Sequence, residues 1–358
     1  MPQITNLVGD SSSSKPIGVI AWMMNLEGTK LTFMNLLLIF ASIYLISFDF
    51  LATKTSNKIE RLFLIFRHAN LGSQILWIVT LRSQRWRYIE MIELFENQTR
   101  CNLGNTRVRR HLTKIRHLVS CYVIAFLMLS ILITVFYKPL MILYDSKDYL
   151  RFGKSLTFGL FNVLTILVYP LYIQFLVESC LHIHACWLTV EEHMRLLKNN
   201  DSRALTIEKI REVRSMYSIA AVITEKMDSF LRFPIAIFSA FFIIANFIFF
   251  VRVWTEFSII GLARYILRFS IFSFVIWNMI YIHYLTHKSF DEVYSLSYGK
   301  HTFQVNNEIH LFLDRIGQSN VGFSFLKISL ITPTFVTSLA SLTLTFVLSL
   351  PSLIEEII

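Results

Sequence analysis

The stretch CLHIHACWLTVEEH, residues 180–193, carries the densest set of metal-ligating side chains in the chain. On a helix His182, Cys186 and His193 fall on one face, while His184 points elsewhere. One ion needs its donors within a turn or so of each other, and His193 lies about three turns from His182. That spacing speaks against a zinc site. The chain also lacks a glycine-rich phosphate loop, a nucleophile elbow and the histidine box of a membrane oxidase. The sequence therefore predicts no enzyme, no metal and no cofactor.

A different chemistry is written in the closing run SLASLTLTFVLSLPSLIEEII, residues 338–358. With Thr334 before it, Ser338, Ser341, Thr345, Ser349 and Ser352 recur every three or four positions, so on a helix they share one face. Such a stripe either lets helices pack closely in lipid or lines a water-filled path. A single helix cannot enclose a pore, so the second reading requires several subunits around an axis. Under it Ser338, Ser341, Thr345, Ser349 and Ser352 line the path, and Leu348 supplies a bulky apolar group that a ring of subunits could use as a constriction. Pro351 lacks a backbone donor, which predicts a bend or an end there. Glu355 and Glu356 beyond it would concentrate cations at the exit, or form a solvated tail.

A third set of polar residues occurs inside apolar stretches. Arg67, Asn70 and Gln74 share a face, as do Asn162, Thr165 and Tyr169; Ser239 and Asn246 follow, then Ser270, Ser273, Trp277 and Tyr281. Hydrocarbon would penalise these groups, so they turn into a bundle, where they bond one another or line a cavity for a small ligand. The candidate ligand-binding residues are Arg67, Asn70, Gln74, Asn162, Asn246 and Trp277.

The elements that must position them follow from composition. With 54% hydrophobic and only 16% charged residues, and mean hydropathy +0.54, the chain exceeds what a soluble globule can bury. Apolar blocks long enough to cross a bilayer fall at roughly 31–52, 62–81, 118–137, 156–179, 233–251, 266–286 and 328–350. This predicts an all-α, polytopic membrane protein with seven transmembrane helices. The first 29 residues lack the pattern of a cleaved signal, so the first span is expected to act as a signal anchor. Placing the N-terminus inside puts 22 of the 34 Lys and Arg residues in cytoplasmic segments against 9 outside, which favours a cytoplasmic N-terminus and an extracellular C-terminus. The formal charge of +10 then reads as topology and attraction to anionic membrane lipid, with no nucleic-acid partner. Cys101, Cys121, Cys180 and Cys186 all fall on the reducing side or in the membrane.

The domain plan is a cytoplasmic tail over 1–30, a seven-helix transmembrane domain over 31–350, and a short extracellular tail over 351–358. Cytoplasmic helical extensions at 180–230 and 287–327 form an anchor bundle. The first is a hairpin around a polar KNNDSR turn. The second is an amphipathic helix starting in the Asn306/Asn307 region and interrupted at Gly317.

Seven spans, an enlarged helical loop between the fourth and fifth, and a last span close to the C-terminus resemble the insect chemoreceptor superfamily, specifically its gustatory receptor-like proteins. That family carries Thr-Tyr, five hydrophobic residues, then Gln-Phe in its last span. Here TFVLSLPSL, residues 345–353, keeps the spacing, with Thr345 identical, Phe346 for Tyr, and Ser352 and Leu353 for Gln-Phe. The upstream NVGFSFLKISLI places Gly322 at the family's usual glycine. The resemblance implies a divergent gustatory receptor, a ligand-gated non-selective cation channel subunit of the plasma membrane. It implies a homo- or hetero-tetramer with the same or related receptors, a small-molecule tastant as ligand, and a pore lined by the seventh helix. Two alternatives remain. A seven-transmembrane receptor signalling through a G protein needs the opposite orientation. A non-conducting structural subunit would pass no current alone.

Overall fold

The computed structural model describes residues 84–101, 103, 106–137, 144, 149–199, 205–255, 259–299, 301–318 and 321–357, with scattered helical positions between 36 and 81 that include 71–77. The described chain is almost wholly helical. Helix α1 spans Arg85–Thr99 and α2 spans Thr106–Ile131, which runs on as a π-helical segment, Leu132–Tyr137. Then come α3 (Tyr149–Asn199), α4 (Ile207–Thr255), α5 (Ile259–Leu296) and α6 (Phe303–Gly317). A two-stranded antiparallel ribbon, β1 (Ser324–Phe325) with β2 (Ser329–Leu330), precedes α7 (Pro333–Ile357).

Among the described residues four helices are long and apolar enough to cross a membrane: Thr106–Ile131, Ile166–Lys198, Ile207–Ile244 and Gly261–Leu296. They overlap the expected third to sixth spans, and Gly261–Leu296 contains the sixth. The first two expected spans, 31–52 and 62–81, fall largely outside the described residues.

The elements outrun the hydrocarbon. Helix α3 has 51 residues, about 75 Å at 1.5 Å per residue, where a crossing needs only ~20 residues. The expected fourth span and the first arm of the expected hairpin are thus one helix. Helix α4, of 49 residues, likewise joins the second arm to the fifth span. The segment 82–116, notable in sequence for its charge, folds as α1 and the first turns of α2. Tyr88, Met91, Ile92 and Phe95 form the buried face of α1 at helical spacing.

Helix α3 is the hub. From Ile173 to Glu191 nearly every side chain is buried, so the helix is wrapped on all sides rather than on one stripe. Trp187 donates to Thr224 Oγ1 at 3.0 Å and meets the Tyr217 ring edge-on at 5.0 Å, and Tyr217 in turn meets Phe312 of α6. The apolar faces of the anchor helices therefore close on one another. Tyr88 of α1 pairs with Ser179 at 3.2 Å, and burial pushes its phenol well above the usual range.

Three expectations need correction. Helix α6 starts earlier than the Asn306/Asn307 region: Thr302 is its N-cap, accepting from Val305 N, because a β-branched hydroxyl sits one turn ahead of the apolar face. The last helix begins at Pro333 rather than 328, because the ribbon occupies 324–330. It is capped by Thr332, whose hydroxyl accepts from Phe335 N at 3.1 Å. Finally, Pro351 does not end the helix, which continues to Ile357.

Candidate functional site

A proline inside a helix frees the carbonyl four residues earlier and removes side-chain bulk from one face. Pro170 does this in α3. Around it lies a crevice bounded by Val119, Tyr122 and Val123 of α2, Tyr169, Pro170 and Ile173 of α3, and Ile271 and Phe274 of α5. The lining is aliphatic and aromatic, and the free volume is about 10 Å³, room for roughly one water. Rings close it: Tyr122 lies 5.7 Å from Phe274, and Phe126 lies 5.3 Å from Tyr169. A ligand entering here must displace aromatic side chains, which rotate at less cost than backbone moves.

A ladder of polar contacts runs from this crevice along α2 and α3. Asn278 Nδ2 donates to the Phe274 carbonyl at 2.8 Å, fixing the crevice's α5 wall. The Asn278 carbonyl accepts from His184 Nε2 at 2.8 Å, which leaves His184 Nδ1 as the acceptor for His111 Nε2 at 3.4 Å. His111 also stacks on Tyr281 at 5.3 Å. On one side Arg116 grips Glu178 with both Nε and Nη2, at 2.8–3.1 Å. On the other, Glu191 Oε1 accepts from Arg107 Nη2 at 2.9 Å and from Lys288 Nζ at 2.6 Å. Glu178, His184 and Glu191 ascend α3 while Arg116, His111 and Arg107 descend α2, so each contact fixes the same antiparallel register. Nearby, Tyr172 OH donates to the Pro234 carbonyl at 2.7 Å, which sets the prolines of α3 and α4 at one level.

The metal-ligating stretch is dispersed. His184 is spent on Asn278 and His111, His193 Nε2 lies 3.9 Å from Cys101 Sγ, and His182 lies 3.9 Å from Cys186. Among the described residues no three such groups converge. All four thiols are free.

Of the ligand residues read from sequence, Gln74 is buried and Asn162 half-buried; neither lines the crevice. Trp277 is 65% exposed on the outside of the chain. Arg67 and Asn70, and the side chains of Asn246 and Thr165, lie outside the described residues. Tyr169, from the same face as Asn162, does line the crevice. The α5 residues that face it, Ile271 and Phe274, went unnoticed because polar positions alone were sought; Pro170 was the available signal.

The pore candidates lie on α7. Ser338, Ser341, Thr345 and Ser349 are exposed, and Thr345 Oγ1 donates back to the Ser341 carbonyl at 2.9 Å. The side chains of Leu348 and Ser352 lie outside the described residues. The neighbouring Thr337, Ala340, Leu342 and Leu344 are exposed as well, and Phe335 and Val336 pack against the core. Among the described residues α7 is therefore exposed on the stripe face and beside it beyond its first turns.

No family model and no curated relative matches the chain. Among solved structures, the insect olfactory receptor OR5 from Machilis hrabei matches with TM-score 0.62 and 10% identity, covering 89% of this chain and 88% of that one. The chain thus shares, over nearly its whole length, the helical membrane fold of an insect olfactory receptor.

Proposed function

We propose that the chain is a divergent gustatory receptor: a subunit of a ligand-gated, non-selective cation channel in the plasma membrane, assembled as a tetramer with itself or related chains. The likeness to the insect olfactory receptor over 89% of the chain supports the receptor reading. The observation that carries the pore assignment is α7, whose hydroxyl stripe at Ser338, Ser341, Thr345 and Ser349 is exposed among the described residues, while Phe335 and Val336 at its start pack against the core. Lipid can cover the apolar side chains of α7 but offers its exposed hydroxyls no partner, which favours a neighbouring subunit or water on the stripe face. Leu348 and Ser352 complete the proposed lining.

The small-molecule site is proposed at the Pro170 crevice, with Tyr122, Tyr169 and Phe274 as its movable walls. Asn162 lies two turns further along the Tyr169 face. Gln74, Arg67, Asn70, Asn246 and Trp277 are kept as candidate ligand residues on the sequence reading alone. Apolar walls favour small lipophilic ligands over sugars.

Expression of the chain alone, with current recorded during a ligand screen, tests the function. Ligand-evoked current that Phe274→Ala or Tyr169→Ala shifts in concentration dependence, at unchanged surface expression, is the expected result. Current unaffected by either change would remove the crevice from the site. Absence of current, alone or with related receptors, would remove the channel.

A further inference from the structure

The ribbon between α6 and α7 is built against backbone preference. Ile328 N donates to the Phe325 carbonyl at 2.9 Å across a turn whose inner residues, Leu326 and Lys327, have φ of 53° and 60°. That region suits glycine, and a side chain with a Cβ is disfavoured there. Such a conformation persists only where surroundings over-determine it.

They do so here. Asp228 of α4 is buried and accepts twice from Ser324, from the backbone N–H at 2.6 Å and from the hydroxyl at 2.7 Å. The same hydroxyl accepts from Lys327 N at 3.2 Å, so one side chain ties the strained turn to α4. Ile331 N donates to the Phe323 carbonyl at 2.8 Å and closes the ribbon. On the far side Phe325 packs on Phe335, in the first turn of α7, at 6.0 Å. A continuous set of contacts thus runs from Asp228 through Ser324 and the turn to the base of the last helix.

We infer that the 321–331 ribbon is a strained latch: the Asp228–Ser324 contact holds it closed, and its release frees α7 to shift. The left-handed turn biases the latch toward opening, and the carboxylate contact biases it toward closure. Substitutions on the two sides must therefore act in opposite directions. A merely structural ribbon would be loosened by any change without moving α7.

The test uses the full chain in lipid nanodiscs, with Ser338→Cys as a reporter on α7. Amide exchange of 321–331 and the labelling rate at position 338 are read by mass spectrometry. Ser324→Ala removes the hydroxyl's bond to the Asp228 carboxylate and its bond from Lys327 N, and is expected to speed exchange at least about tenfold and to change the labelling rate. Lys327→Gly and Leu326→Gly are expected to slow exchange roughly fivefold each, through relief of left-handed strain, and to move labelling the other way. Exchange that changes while labelling stays fixed would overturn the coupling to α7. Glycine variants that speed exchange as Ser324→Ala does would overturn the stored strain. Because no current is read, loss of the channel reading would leave the result standing.

Discussion

At residue scale, the contacts that matter most are those whose partners have left water. Glu178 is 6% exposed and Arg116 20%, so breaking their bidentate pair strands a charge in a poorly solvated position. Glu178→Gln is expected to lower stability by about 2 kcal/mol, whereas Glu178→Leu with Arg116→Met recovers most of that loss. Thermal unfolding of the purified variants decides, and a neutral Glu178→Gln would show that solvent already screens the pair. Tyr172→Phe removes only the hydroxyl that reaches the Pro234 carbonyl, a loss of about 1 kcal/mol. Its unfolding midpoint should fall slightly with helix content unchanged. If the midpoint holds, the carbonyl has found another donor.

At element scale, legibility in the sequence depended on what each element buries. The apolar blocks of α3, α4 and α5 were plain because twenty consecutive lipophilic residues have few other uses. Their polar continuations were legible as helices but not as the same helices, because no break separates Thr165 from His193 except Pro170, which lies within α3 without ending it. Helix α1 hid behind its arginines. Its buried stripe has only four residues, and the surrounding charge reads first. In the site, the polar faces drew attention although the crevice is lined by Ile271, Phe274 and Val123, whose apolar side chains look like ordinary core. For α7 the hydroxyl period was legible, and what lies against it was not, since a helix's own sequence does not say which surface faces it. Cysteine substitution along 341–353 with a water-soluble thiol reagent should block current at 345, 349 and 352 and spare 343, 346 and 350. Uniform block, or none in a conducting channel, would remove the stripe from the pore.

At the scale of the whole molecule, orientation rests on charge. Asn97 lies exposed on α1 and heads an acceptor sequon, as does Asn200. With the N-terminus inside, both face away from the glycosylation machinery, and both should remain unmodified in cells. A glycan at either site would invert the chain and revive the G-protein reading. The same orientation gathers the basic residues of α1 and α2 at the inner leaflet, so raising ionic strength should weaken binding of the purified protein to anionic vesicles more than to neutral ones. Equal salt sensitivity for both vesicles would mean that the charge serves insertion alone.

The length of α3 turns a small movement into a large one. From Pro170 to Asn199 the helix runs uninterrupted for about 44 Å, so a tilt of about 5° at the proline carries its far end through about 4 Å. Helix α3 has the length of a lever arm, with Pro170 beside the crevice toward one end and Trp187 and Glu191, held in the surrounding bundle, toward the other. The ladder to α2 and α5 sets how much of that travel is transmitted and how much is absorbed.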